Sequence, residues 1–211
     1  MDLRQAIKPY QEHPISHQVL LSLLKGYKRP NDKISELLKK GDLIALKKGI
    51  YLWQGENQSF PEPFAIANAL YGPSYVSAES ALSFHGLIPE QVFTVLSMTL
   101  KPAKSFTNDL GTFEYKKLTA PYYSFGVEYR KLRDSQFALI ASPEKALCDK
   151  IIMTPRVLFR SLKEAQTYLI NDLRIEPGQL RELDSAAIQS WLPEAPKKES
   201  LDFLVKTITV L

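Results

Sequence analysis

The chain has 211 residues, of which 45% are hydrophobic and 24% are charged, and its formal net charge at pH 7 is +4. This composition is that of an ordinary globular protein and excludes a disordered or fibrous chain. The single cysteine, Cys148, cannot form an internal disulfide, which favours a reducing compartment and predicts a cytoplasmic protein. No apolar run has the length of a transmembrane helix or a signal peptide, so we expect no membrane partner.

The basic residues are unevenly distributed along the chain. Residues 1–60 contain ten Lys or Arg and six Asp or Glu, whereas residues 61–211 contain seventeen of each sign. The whole positive excess therefore lies in the first quarter of the chain, which indicates binding to nucleic acid or another anionic surface. A solvated basic face without a partner is the alternative.

Residues 1–60 predict two helices followed by a β-hairpin. Apolar residues at helical spacing predict a first helix over 17–26 that ends at Gly26. Asn31 or Asp32 can cap a second helix that stops at Gly41. The β-prone runs 43–46 and 50–53 flank Lys47-Lys48-Gly49, where the glycine suits a tight turn with positive φ.

This order of elements is typical of a compact winged helix-turn-helix, which we assign to residues 1–56. In such a fold one helix enters the major groove, and cations on the helix and the hairpin neutralise phosphates. Either residues 3–12 supply the third helix that such domains usually have, or the turn at 28–31 is abbreviated. A helix–hairpin packing unit that serves dimerisation is the alternative. The predicted DNA contacts are Lys28, Arg29, Asn31, Lys33, Lys39, Lys40, Lys47 and Lys48.

Residues 57–211 predict a mixed α+β domain with a helical C-terminal part, so the fold class of the chain is α/β in the broad sense, more narrowly α+β. The polar segment 54–63, with two prolines, is predicted to be the linker. Strands are predicted at 92–101, 111–118, 122–132 and 136–141. The strongest helix starts are Ser77, Ser142-Pro143-Glu144 and the capping box Ser161…Glu164.

Two segments of this larger part carry a family resemblance. YVSAESALSFHGLIPE at 75–90 and SPEKALCDKI at 142–151, preceded by GDLIALKKGIY at 41–51, resemble the AbiEi antitoxin family of bacterial type IV toxin–antitoxin systems. The likeness covers roughly residues 17–151, and one extra residue, Asp42, separates Gly41 from Leu43. It implies a repressor of its own operon that also counteracts a nucleotidyltransferase-like toxin. The partners implied are double-stranded DNA of its own promoter and that toxin.

A metal-dependent nuclease is the enzymatic alternative. Glu114 and Lys116 on a predicted strand, with Asp109 upstream, are the residue types of an acid…acid-x-lysine site that holds Mg²⁺. Asp109 lies only five residues before Glu114, which is close for such a site, and a solvated strand face explains the pair as well. We therefore expect no catalytic residue, metal or cofactor.

Other candidate residues favour structural roles. His85 has no second histidine or cysteine at metal-ligand spacing, and a pairing with Ser77 or Ser80 lacks a third member, so a helix end or packing position is preferred. Cys148 is expected to be a buried thiol. Glu144 and Asp149 are five residues apart and do not share a helix face; Glu144 is explained by the helix dipole. The aromatic run Tyr122, Tyr123, Phe125 and Tyr129 forms either core or a partner-binding patch.

The sequence thus predicts an antitoxin-like DNA-binding transcriptional regulator. A homodimer on two DNA half-sites is compatible with a single winged helix per chain. The alternative is a protein-interaction domain or a lone regulator without a toxin partner.

Overall fold

The computed structural model of the chain describes residues 3–54, 61–133 and 135–211. It is a mixed α+β structure with two β-sheets, of three and six strands. The predicted boundary between residues 56 and 57, and most of the predicted linker, lie outside the described residues. Within the described ranges no helix has both the length and the apolar character needed to cross a membrane.

Residues 3–54, which we call the N-terminal module, contain three helices and a small sheet. In chain order its elements are α1 (Leu3–Ile7), β1 (Ile15–Ser16), α2 (His17–Leu23), α3 (Pro30–Lys40), β2 (Leu43–Lys47) and β3 (Ile50–Trp53). A 3₁₀ turn at Lys8–Tyr10 extends α1. The strands pair antiparallel in the order β1-β3-β2, so that β3 lies in the centre.

The local chemistry of the module explains where its helices begin and end. Ser16 caps α2, since its hydroxyl oxygen accepts a hydrogen bond from the Val19 amide at 3.3 Å. Gly41 ends α3 with a φ of +78°, and Gly49 turns the β2–β3 hairpin with a φ of +85°. The predicted hairpin is therefore confirmed, with β2 one residue longer than expected.

Two details of the module differ from the sequence predictions, and a third decides between two alternatives that the sequence left open. The helix α2 ends at Leu23 rather than at Gly26. The helix α3 begins at Pro30 with Arg29 at the N-cap, so neither Asn31 nor Asp32 caps it; proline at the first position fixes the helical φ one residue earlier. Residues 3–10 supply a helix before β1, despite Pro9, which lies in the 3₁₀ turn where its missing amide is tolerated.

The module has a hydrophobic core of its own. Helix α3 contributes Ile34 and Leu37, which are three residues apart and share a face. The buried apolar residues of this core are Leu3, Ile7, Ile15, Leu20, Leu24, Ile34, Leu37, Leu43 and Trp53. Leu46 and Leu52 of the hairpin instead join the core of the larger part, so the hairpin contacts both.

The larger part is built on a six-stranded mixed sheet. Its elements up to the last strand are α4 (Pro63–Leu70), β4 (Ser74–Val76), α5 (Ala78–Phe84), β5 (Thr94–Thr99), β6 (Lys104–Asn108), β7 (Gly111–Lys117), β8 (Val127–Lys131) and β9 (Phe137–Ala141). The strand order is β6-β7-β5-β4-β9-β8, with parallel pairs β4–β9 and β5–β7. The strands β5, β7, β8 and β9 confirm the four strands predicted from the sequence. The prediction at 122–132 was too long, because its first part forms a 3₁₀ turn at Tyr122–Ser124.

Helices follow the sheet to the C-terminus. They are α6 (Pro143–Met153), α7 (Leu162–Thr167), α8 (Pro177–Arg181), α9 (Ser185–Trp191) and α10 (Lys198–Val210), with a π-helical turn at Tyr168–Asp172 after α7 and a 3₁₀ turn at Leu192–Glu194 after α9. Ser142 caps α6 as predicted, because its hydroxyl accepts from the Lys145 amide at 3.2 Å. The ammonium of Lys197 donates to the carbonyls of Ile151, Thr154 and Val157 at 2.7–3.0 Å and so satisfies the end of α6.

Candidate nucleic-acid interface

Helix α3 presents a polar face to solvent on the side opposite its buried residues. Asn31, Ser35 and Lys39 follow one another at intervals of four and are all exposed, whereas Ile34 and Leu37 are buried. The hydroxyl of Ser35 donates to the backbone carbonyl of Asn31 at 3.1 Å. A helix held this way by the module core has its first turns free for an external ligand.

Ion pairs within α3 neutralise part of its charge. Glu36 accepts from Lys33 at 3.0 Å and from Lys40 at 2.5 Å, so these three side chains together carry one positive charge. The hydrogen bond from Lys40 is the largest cause that lowers the pKa of Glu36, followed by that from Lys33, and the same pair raises the pKa of Lys40. Screening by water makes such exposed pairs weak, so a stronger anion can replace Glu36.

The remaining cations around α3 lie in the preceding turn and at the helix end. Arg29 is paired with Asp32 at 3.3 Å, with the arginine side chain 83% exposed. Lys28 and Lys39 are exposed and form no ion pair with a carboxylate of the described residues. We call the group formed by Lys28, Arg29, Asn31, Lys33, Lys39, Lys40 and Lys48 the basic face.

The two lysines of the β2–β3 hairpin have different surroundings. Lys48 lies exposed at the tip of the hairpin. Lys47 is less exposed and is directed toward the larger part of the chain, with Nζ 5.4 Å from the Phe106 ring centroid and 6.0 Å from that of Tyr71. Burial lowers the pKa of Lys47, and the nearby Lys104 and Lys101 lower it further. Of the eight predicted contacts, six have exposed side chains, whereas Lys33 and Lys47 are partly buried.

The two segments that carry the family resemblance meet inside the larger part. Residues 75–90 supply Tyr75 and Ser77, and residues 142–151 supply Lys145 and Asp149. Oδ2 of Asp149 accepts from the Ser77 hydroxyl at 2.7 Å and from the Tyr75 hydroxyl at 2.9 Å, while Oδ1 lies 3.0 Å from Lys145 Nζ. With Tyr122, whose carbonyl accepts from Lys145 at 3.1 Å, these residues form what we call the buried polar cluster.

The buried polar cluster is closed to solvent. The side chains of Lys145 and Asp149 are 0% exposed, and Lys145 Nζ lies 3.3 Å from the Tyr122 ring centroid. Burial raises the pKa of Tyr75 and Tyr122 far above the usual tyrosine range and lowers that of Lys145, an effect that Asp149 opposes. The cluster therefore joins β4 and the start of α5 to α6.

Ser77 illustrates how this cluster changes a sequence prediction. Its position at the N-cap of α5 is as predicted, but its side chain makes no capping bond and donates to Asp149 instead. Glu79, in the first turn of α5, forms a salt bridge with Lys150 of α6. The hydrogen bond to a buried carboxylate is charge-assisted and so stronger than a neutral capping bond, which orients the Ser77 hydroxyl toward Asp149.

Of the remaining candidates, His85 and Cys148 have packed positions, whereas Asp109 and Glu114 are fully or partly exposed. Nε2 of His85, at the end of α5, lies 2.8 Å from the carbonyl oxygen of Ala141, which confirms a packing position. Cys148 is fully buried, as predicted, and burial raises its pKa. Glu114 lies 3.4 Å from Lys116, while Asp109 lies exposed in the β6–β7 turn, five residues before Glu114.

The described residues contain no group of three or more His, Cys, Asp or Glu side chains arranged to hold a metal ion. Of the aromatic run, Tyr122 is core, Tyr123 and Phe125 are partly buried, and Tyr129 is 69% exposed and stacked on Phe137. The chain matches no protein-family model and no curated protein.

Sequence reasoning missed three groups of residues. Ser35 lies on the exposed face of α3 between two predicted contacts. Asp149 is the acceptor at the centre of the buried polar cluster, which the i, i+4 spacing from Lys145 could have indicated. Finally, Lys101 and Lys104 gather around Tyr71 and Phe106 beside Lys47; only their positive charge was visible in the sequence.

Proposed function

We propose that residues 3–54 form a winged helix-turn-helix that binds double-stranded DNA, with α3 as the recognition helix and the β2–β3 hairpin as the wing. The observation that carries this proposal is the set of exposed cations on and next to α3, Lys28, Arg29, Lys39 and Lys40, together with the exposed Lys48 at the hairpin tip. The order helix, strand, two helices and two strands, with β3 central, supports it further. The larger part starts after the segment 55–60 and forms the second domain.

In this arrangement the first turns of α3 approach base edges in the major groove. The amide of Asn31 suits bidentate hydrogen bonding to adenine, and the Ser35 hydroxyl can donate or accept. Lys28, Lys39 and the wing-tip Lys48 contact phosphates and release counterions. Lys33 and Lys40 join them when phosphate replaces Glu36 as their partner.

We further propose that the protein is an antitoxin-like cytoplasmic regulator that represses its own operon and counteracts a nucleotidyltransferase-like toxin. Support comes from the resemblance of the segments 75–90 and 142–151 to the AbiEi family. The two segments meet at Asp149, which Tyr75 and Ser77 of the first segment and Lys145 of the second contact. A reading frame for such a toxin next to this gene would support the assignment. If no such reading frame is present and no toxin co-purifies with the protein, the function is that of a lone regulator.

The DNA-binding proposal is tested by fluorescence anisotropy with the full chain and a duplex from its own promoter region at 50 mM salt. The variant Lys39→Glu/Lys48→Glu should lose binding, because two phosphate contacts become repulsive. The matched control is Lys163→Glu, an exposed lysine on α7 with no ion pair to a described carboxylate. Equal binding by the wild type and the Lys39/Lys48 variant, or no binding by the wild type at micromolar protein, contradicts the proposal.

A protein-interaction domain is the second candidate function, favoured by an exposed aromatic surface on the last two strands. Tyr129 and Phe137 stack at 4.9 Å with an interplanar angle of 7°, and both lie exposed on edge strand β8 and its neighbour β9. Exposed apolar patches of this kind mark protein contacts. If this is the main function, Tyr129→Ser/Phe137→Ser abolishes partner co-purification while Lys39→Glu/Lys48→Glu does not.

A further inference from the structure

Three lysines converge on one pair of aromatic rings where the wing meets the six-stranded sheet. The Nζ atoms of Lys47, Lys101 and Lys104 all lie within 6.0 Å of the Tyr71 ring centroid. Lys47 and Lys104 also lie 5.4 and 5.0 Å from the ring centroid of Phe106. We call this group, Lys47, Tyr71, Lys101, Lys104 and Phe106, the lysine–aromatic cluster.

The charges of this cluster are not compensated by acidic side chains of the described residues. None of the three lysines forms an ion pair with a carboxylate there; Lys101 donates to the backbone carbonyl of Gly72. The ring faces hold the ammonium groups by cation–π attraction but carry no net charge. Burial lowers the pKa of Lys47, and the like charges of Lys104 and Lys101 lower it further. An anion bound among the three would relieve that repulsion.

The cluster is fixed relative to the DNA-binding wing. Lys47 directly precedes Lys48 at the wing tip, and the side-chain amide of Asn108 donates to the backbone carbonyl of Leu46 at 3.3 Å. Strand β6, which carries Lys104 and Phe106, therefore lies against β2. Positive charge continues from the wing tip through Lys47 onto a surface of the second domain.

We propose that Lys47, Lys101 and Lys104 bind a backbone phosphate of the same duplex that α3 and the wing engage, next to the wing. This inference rests on the proposed DNA-binding function and extends it to the second domain. Lysine ammonium groups act as compact charges that bind phosphate without a fixed planar geometry. Because the Tyr71 and Phe106 ring faces are covered by the lysines, they hold the ammonium groups in place rather than stacking on bases. The contact is therefore independent of base sequence.

The experiment compares full-length wild type with Lys101→Gln/Lys104→Gln by anisotropy, on a promoter duplex and on a scrambled duplex of equal length, from 50 to 200 mM salt. Loss of one phosphate contact should raise Kd on the order of tenfold at 50 mM salt and reduce the magnitude of the salt slope by about one. The loss should be equal on both duplexes. Lys163→Gln/Lys206→Gln, two exposed lysines elsewhere, is the matched control and should bind as the wild type does.

The possible results distinguish a failure of this inference from a failure of the proposed DNA-binding function on which it rests. Wild-type binding with an unchanged Kd and salt slope in the double variant overturns the inference alone. A loss confined to the promoter duplex also overturns it, because it indicates base readout. Failure of the wild type to bind either duplex overturns both. Lys104→Gln, whose side chain makes no backbone hydrogen bond, is the second variant if Lys101→Gln lowers thermal stability, and it should show the same uniform loss on both duplexes.

Discussion

In the N-terminal module, Lys28, Lys39 and Lys48 are exposed, and α3 buries only apolar residues beneath them. In the larger part, Lys145 lies at 0% exposure, with its ammonium enclosed by Asp149, a carbonyl and an aromatic ring. The first group costs little to keep in water and is available to a ligand. The buried Lys145 needs its ion pair with Asp149, since a buried charge without a counterion is strongly unfavourable. Exposed lysines of the first kind are accessible to a ligand, whereas the buried Lys145 holds the fold together.

The sharpest test of this contrast is removal of the buried acceptor. Asp149→Ala leaves Lys145 uncompensated and deprives Ser77 and Tyr75 of their acceptor, so the free energy of unfolding should fall by about 3–5 kcal/mol. Urea denaturation of the full chain measures it. Asp202, which is partly exposed and pairs with Lys206 one turn away on α10, is the control, and Asp202→Ala should leave the urea midpoint nearly unchanged. Equal effects of the two substitutions would contradict the account.

The next largest effect concerns the glycine against which the buried lysine packs. Gly126 has a φ of +57°, and an added Cβ would lie 2.8 Å from Lys145 Cβ and 2.8 Å from a ring carbon of Trp191. Gly126→Ala combines backbone strain with overpacking and should cost about 3 kcal/mol of unfolding free energy. In α8, a Cβ at Gly178 would meet nothing within 4 Å. A Gly178→Ala variant as unstable as Gly126→Ala would show that the close packing is not the cause.

A smaller effect is expected from alkaline pH. Burial raises the pKa of Cys148 above its usual value of 9.0, so above pH 9 the thiol ionises in the unfolded chain while the folded chain keeps the proton. The unfolded state then binds fewer protons, and the free energy of unfolding falls by roughly 1.4 kcal/mol per pH unit for this group. Tyr75 and Tyr122 act in the same direction from about pH 10, whereas the lowered pKa of Lys145 opposes them.

Urea titrations at pH 8, 9 and 10 measure this dependence, with Cys148→Ala as the comparison. The wild type should lose stability between pH 9 and 10, and the variant should lose less over the same interval. Equal losses by the wild type and the variant over this interval would show that Cys148 does not keep its proton in the folded state.

Much of the fold could be predicted because it rests on local chemistry. Gly41 and Gly49 supply positive φ where a helix ends and a hairpin turns, and Ser142 with Pro143 begins α6. The strands β1, β4 and β6 were missed, since they have only two to five residues and little alternation of apolar and polar side chains. Their pairing partners lie elsewhere in the chain, so their position depends on tertiary contacts that no local pattern contains.

The predicted contacts on α3 and the wing needed only charge and helical spacing, which the sequence displays. The sequence could not provide the direction in which each side chain points. Lys47 and Lys48 are adjacent and look equivalent, yet one points to Tyr71 and Phe106 and the other to solvent. Likewise Ser77 has the residue type of a helix cap. Its hydrogen bond to Asp149 depends on the packing of α6, which lies more than seventy residues later in the chain.

The central claim, that the exposed lysines of the N-terminal module bind duplex DNA, is tested most directly by hydrogen–deuterium exchange of the full chain with and without a promoter duplex. The account predicts slower exchange in residues 28–40 and around the wing tip at 47–49, with smaller changes near Lys101 and Lys104, and none in α7 to α10. Unchanged exchange across residues 28–49 in a sample shown by anisotropy to be saturated with DNA would contradict it.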